Sequence, residues 1–109
     1  MKENFYDTNI FIEITKKRQK LRGYTSILNI VGFPKALSVD GLRILFPEKE
    51  DYLLGIMIAK KLLENGTLIL AVDITIAAIA INHNLRFITR DKHFTAVKAV
   101  EPVFKLLLM

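Results

Sequence analysis

Short β-rich runs alternate along this chain with helix-length segments, and each run gives way to an aspartate. Phe5-Tyr6 is followed by Asp7, Thr67 to Val72 by Asp73, and Arg86-Phe87-Ile88-Thr89 by Arg90 and Asp91. Strands that alternate with helices imply a parallel sheet covered on both faces. In an open sheet of that kind, ligands collect at the carboxyl ends of the strands. The three aspartates are therefore expected together at one edge of one sheet. Carboxylates gathered there make an oxygen-only cradle for a hard divalent cation such as Mg²⁺.

Local punctuation sets the element boundaries. Phe5 and Tyr6 end a first strand. Ile10, Phe11, Ile14 and Leu21 predict a helix closed by Gly23. Thr25 or Ser26 is the N-cap of a second helix with Ile27, Ile30 and Val31 inward, and Pro34 ends it near Phe33. Ala36 to Arg43 fits no single pattern. Phe46-Pro47 is a connection, after which Glu48, Glu50 and Asp51 favour a helix start. Leu53, Leu54, Met57, Ile58 and Leu62 follow at helical spacing, with the Leu53, Met57 and Leu62 stripe read as core or, in part, as an oligomer interface, and Asn65-Gly66 as the stop. Thr67 to Val72 is predicted as a buried parallel strand. Ile74 to His83 is apolar on nearly every side and predicts a buried helix, capped by Asn84 in a left-handed conformation. Arg86 to Thr89 is a further strand, Phe94 to Ala99 a short helix, and Pro102 to Leu107 a last strand at the sheet edge. The predicted order is βα(α)αβαβαβ, an α/β fold in a single domain over residues 1–109.

At 109 residues the chain supports one core. Without cysteine it can form neither a disulfide framework nor a thiolate metal site. Leu68 to Ile81 is too short to span a bilayer and is interrupted by Asp73, and Met1-Lys2-Glu3-Asn4 has no apolar signal core behind it. A soluble, cytoplasmic protein with no membrane association is expected. The formal net charge is +5, with much of the excess in Lys16, Lys17, Arg18, Lys20 and Arg22. Such a cluster either attracts nucleic acid by counterion release or is a solvated helix end placed favourably on the dipole. A phosphodiester substrate calls for both the cluster and the acidic site. His83 and His93 lack a metal-binding spacing, and there is no glycine-rich phosphate loop.

Three blocks carry a family resemblance: Tyr6-Asp7-Thr8-Asn9-Ile10-Phe11-Ile12-Glu13, Val72-Asp73-Ile74-Thr75-Ile76-Ala77-Ala78, and Leu85-Arg86-Phe87-Ile88-Thr89-Arg90-Asp91-Lys92-His93-Phe94. In order and flanking residues they resemble the PIN domain, and by pattern most of all the toxin ribonucleases of VapBC toxin–antitoxin pairs. The resemblance covers essentially the whole chain. It implies a three-layer α/β/α fold and a metal-dependent endoribonuclease, in which Mg²⁺ or Mn²⁺ and an activated water cleave RNA. Asp7, Asp73 and Asp91 match the family's metal-holding acids. Thr8, Asn9 and Thr89 match its supporting polar positions. The partners it implies are an RNA substrate, a second copy of the chain, and a small antitoxin that wraps the dimer and sets a basic side chain near the carboxylates.

One position departs from that pattern. The family usually has a glutamate early in the helix after the basic segment, and counting on from Ser26 puts Gly32 there. Three accounts compete: a degenerate or inactive domain, substitution by another acid, or a replacement that detoxifies an active ribonuclease. Asp40 lies about 8 residues further on, roughly 12 Å away along a helix, and Glu13 belongs to the first helix. The rival readings are an inactive PIN module that binds RNA or protein, and a DNA-directed nuclease of the related flap type.

Overall fold

The structure is a computed structural model and describes residues 3–18 and 20–109, so Met1 and Lys2 of the N-terminal reading lie outside it. Five strands form one sheet: β1 (Asn4–Tyr6), β2 (Gly23–Ser26), β3 (Leu42–Leu45), β4 (Arg86–Thr89) and β5 (Lys105–Leu108). Their order across the sheet is β3-β2-β1-β4-β5, and every pairing is parallel. The helices are α1 (Thr8–Lys16), α2 (Ile27–Gly32), α3 (Lys49–Glu64), α4 (Ala71–Asn82) and α5 (Phe94–Val100), with a 3-10 turn over Pro34–Ser38. Among the described residues no helix is long and apolar enough to cross a membrane.

Side-chain alternation along β1 and β4 produces the layers. Phe5 and Phe87 point to one face, where they pack with Ile58, Leu62, Ala77, Ile79, Phe94, Val97 and Phe104 under α3, α4 and α5. The Phe5 and Phe87 rings stack with centroids 5.3 Å apart. Tyr6 and Ile88 point the other way and pack with Ile10, Phe11 and Ile30 of α1 and α2. Burial on both faces is what a parallel sheet demands.

The ends of α3 and α4 follow their sequence signals. Gly66 sits at φ +69, the Thr67 N–H donates to the Leu62 carbonyl, and the Gly66 N–H donates to that of Leu63. Asn84 repeats the pattern at φ 56, with the Leu85 N–H on the Ala80 carbonyl. Both are Schellman closures. Ser26, rather than Thr25, caps α2, and its partner in the capping box is Asn29. The Thr25 hydroxyl instead donates to the Tyr6 carbonyl at 2.9 Å, tying β2 to the end of β1.

Several expectations are corrected. Thr67 to Val72 is not a strand: residues 67–70 form a connection, and α4 begins at Ala71. Leu68 and Leu70 are 85% and 71% exposed, so no neighbouring strand is there to satisfy their β preference. The second and third strands are instead β2 and β3. Gly23, read as a helix stop, opens β2, and α1 ends earlier, at Lys16. Of the Leu53, Met57 and Leu62 stripe only Leu62 is core, while Leu53 and Met57 face outward from α3. The last strand does lie at the sheet edge, over Lys105–Leu108.

Candidate active site

Asp7 is the first residue past β1 and the N-cap of α1. It is buried, yet it is surrounded by donors. Its Oδ1 accepts from the Thr8 N–H at 2.8 Å and from Asn29 Nδ2 at 3.1 Å. Its Oδ2 accepts from the Thr89 hydroxyl at 2.7 Å, and Asn9 Nδ2 stands at 3.5 Å. Burial raises the Asp7 pKa most; the Thr89, Thr8 and Asn29 hydrogen bonds pull it back, and the Asp91 charge pushes it up again. The carboxyl group stays above its ordinary value because desolvation outweighs its donors.

Thr89 ends β4 and joins the other residues. Its hydroxyl also accepts from the Asp91 N–H at 3.0 Å and from Asn9 Nδ2 at 3.3 Å. Asn9 accepts in turn from the Arg90 N–H at 3.2 Å. Thr8 and Asn9, in the first turn of α1, both enter this hydrogen-bond network, Asn9 mainly through Thr89. Asp91 Oδ1 accepts from the His93 N–H at 2.9 Å and lies 2.8 Å from His93 Nδ1. The Arg90 side chain turns away and makes two bonds to Glu13, at 3.0 and 2.7 Å. That pairing holds the Glu13 carboxyl below its usual value and leaves it no part in the acid group.

Asp73 arrives differently from the way its sequence context implied. It lies in the first turn of α4, not at a strand end. Helix N-termini favour negative charge, which suits a carboxylate there. Burial raises its pKa most, followed by repulsion from Asp7 and then from Asp91, with His93 opposing. The three aspartates from β1, α4 and the end of β4 are therefore close enough to feel one another's charge.

Asn29, on α2, is the residue that the sequence reading missed. It is 1% exposed. Besides Asp7 it donates to Thr8 Oγ1 at 3.0 Å, and its Oδ1 accepts from the Ser26 hydroxyl at 2.6 Å. Its signal was present as the third residue after an N-cap serine, the capping-box position. Gly32 is the last residue of α2; a Cβ placed there meets nothing within 4 Å. A longer side chain therefore has room.

The donor set suits a hard divalent ion in its chemistry: only oxygens, and negative charge that is unfavourable without a counter-cation. Among the described residues, however, no three His, Cys, Asp or Glu side chains are gathered tightly enough to hold a metal by themselves. What fits is an ion of the Mg²⁺ type, which keeps several waters and takes one or two carboxylates.

The basic cluster is not part of this site. α1 starts beside Asp7 and β2 runs parallel to β1, so the connection carrying Lys17, Arg18, Lys20 and Arg22 lies at the amino ends of the strands, where Lys16 ends α1. The carboxylates occupy the opposite edge. Another buried carboxylate, Asp51, accepts from the Glu48 N–H and from Asn82 Nδ2, both at 2.8 Å, and serves to join α3 to α4.

No protein-family profile matches the chain, and no curated protein matches it. Solved structures do. The chain superposes on the complex of VapBC2 from Rickettsia felis with a DNA fragment from its promoter, with a TM-score of 0.76 at 16% identity, covering 96% of this chain and 97% of that one. DNA-bound VapBC from Salmonella typhimurium gives 0.77 at 16% identity, with 98% of each chain covered. VapBC-5 from Mycobacterium tuberculosis, a member of the VapBC family of toxin–antitoxin systems, gives 0.75 at 18% identity, with 100% and 98% covered. At such identities the likeness is one of fold: an α/β architecture with a five-stranded parallel sheet between helical layers, the expected fold class.

Proposed function

We propose that this chain is the toxin half of a VapBC-type pair: an endoribonuclease dependent on Mg²⁺ or Mn²⁺, working in the cytoplasm and attenuated at Gly32. The observation that carries this reading is the Thr89 hydroxyl, which donates to Asp7 Oδ2 and accepts from the Asp91 N–H, so that two acids meet at the carboxyl edge of the sheet with Asp73 entering from the first turn of α4. A protein that buries and crowds acids in this way, at the cost of stability, has a use for a cation there. The fold likeness to toxin–antitoxin complexes supports the same reading.

In this mechanism one or two of Asp7, Asp73 and Asp91 would ligate the ion directly and the remainder would act through its retained waters. The ion supplies a more acidic water and charge neutralisation at the phosphodiester. Thr89 and Asn29 fix the two oxygens of Asp7 so that its carboxylate keeps one orientation. Asn9 holds the Arg90 backbone and so sets the turn that carries Asp91. His93 is exposed, and its Nδ1 lies 2.8 Å from Asp91 Oδ1. The cognate partners are an antitoxin protein and a second copy of the chain.

Gly32 favours a second reading, an inactive module that binds RNA or protein, because no side chain projects from that position. Mn²⁺-dependent cleavage of a mixed RNA pool separates the two. The native chain, Gly32→Glu, and Gly32→Glu with Asp7→Ala are compared. Cleavage by Gly32→Glu that Asp7→Ala abolishes supports a ribonuclease scaffold disabled at one residue. Cleavage by the native chain supports three sufficient aspartates. If none cleaves, the inactive module takes its place.

A further inference from the structure

At the amino edge of the sheet, far from the carboxylates, lies a cavity of about 280 Å³. It is lined by the entrances to three strands: Glu3 and Asn4, Arg22 with Gly23 and Tyr24, and Gly41 with Arg43. Gly23 makes it possible. Its φ is +154, and a Cβ there would lie 2.7 Å from the Asn4 carbonyl oxygen, so β1 and β2 approach more closely than a side chain permits. Among the described residues, neither Arg22 nor Arg43 is paired with a carboxylate. The Arg43 guanidinium carbon lies 6.0 Å from the centre of the Tyr24 ring, at the outer limit of a cation–π contact. Arg86 donates to Asn4 Oδ1 at 2.9 Å, adding a further positive charge behind the wall. Lys16, Lys17, Arg18 and Lys20 belong to the same edge of the molecule.

We infer that this cavity anchors one nucleotide of single-stranded RNA, its phosphate held by Arg22 and its base lying against the Arg43 guanidinium, which Tyr24 backs. The inference rests on the reading of RNA as the substrate and deepens it. The volume is near the lower end of small-molecule sites, about 300–1,000 Å³, and suits a single nucleotide. Planar aromatic and guanidinium groups beside unpaired cations are what single-strand sites use, because every base has a face to stack. Glu3 is the one carboxylate in the lining, and it opposes a phosphate.

The test is fluorescence anisotropy with a labelled single-stranded oligoribonucleotide in EDTA, where no cleavage occurs. Arg22→Gln with Arg43→Gln is expected to weaken binding about tenfold and to reduce the salt slope by about one unit. Lys49→Gln with Lys60→Gln removes the same charge from exposed positions on α3 and is expected to change affinity less than about threefold. Glu3→Gln is expected to tighten binding. Thermal melts confirm that each variant folds. Equal losses in the two double variants, or no RNA binding by the native chain, would overturn the anchor. Binding is read without metal, so an anchored RNA that the Gly32→Glu chain never cuts rejects the nuclease reading alone. Cleavage without Arg-dependent binding rejects the anchor alone.

Discussion

Asp7 is held against its own charge. Its carboxylate lies in a buried position where hydrogen bonds offset only part of the desolvation. The folded-state pKa is raised above the unfolded value, so between the two the folded protein binds more protons. Stability from this group is thus fully present below the ordinary carboxylate range and is lost as pH rises through the folded pKa. Asp73 shifts in the same direction. Asp7→Asn is expected to raise the neutral-pH stability of the metal-free protein by about 1 kcal/mol, with the gain vanishing below about pH 4; denaturant melts across pH measure it. Mn²⁺ should raise the Tm of the native chain at neutral pH and leave that of Asp7→Asn nearly unmoved. Asp7, Asp91, Thr8, Asn9 and Thr89 were legible in the sequence because each lies next to a strand end that the pattern marks. Asn29 was not, because a capping-box residue has a sufficient local role and its second role depends on how α2 lies against β1.

Helix ends proved more legible than strands. The Asn65-Gly66 and Asn84 closures are local hydrogen-bond patterns that a few residues determine. Gly66 has open space around it, so a substitution there tests backbone conformation alone. Gly66→Ala is expected to cost about 1 kcal/mol, read from denaturant melts, with little change elsewhere. Strands depend on neighbours instead. Gly23-Tyr24-Thr25-Ser26 has little strand character of its own, but it pairs with both β1 and β3. Thr67-Leu68-Ile69-Leu70 has strong β propensity and no strand to pair with, so it connects two helices. Sequence pattern therefore recovers α3, α4, α5, β4 and the edge strand, misses the two strands on the β3 side of the sheet, and predicts one at Thr67 to Val72 that does not form.

The molecule leaves apolar surface uncovered. On α3, Tyr52, Leu53, Ile56, Met57 and Leu63 are all more than half exposed. An extended apolar face on a helix of this length marks an interface, and the proposed self-association assigns it to a second copy. Leu53→Lys with Met57→Lys is expected to convert a dimer to a monomer in light scattering, at a stability cost below about 1 kcal/mol, since neither side chain is in the core. A different consequence follows from the first strand's place at the centre of the sheet. β1 finds its partner in β4, and the Asp7–Thr89 hydrogen bond spans 82 residues. Contacts so distant along the chain close late, after much ordering entropy has been spent. During synthesis, β4 leaves the ribosome only after all the residues that separate it from β1. Until then a growing chain carries the first aspartate without the Thr89 hydroxyl that orients it.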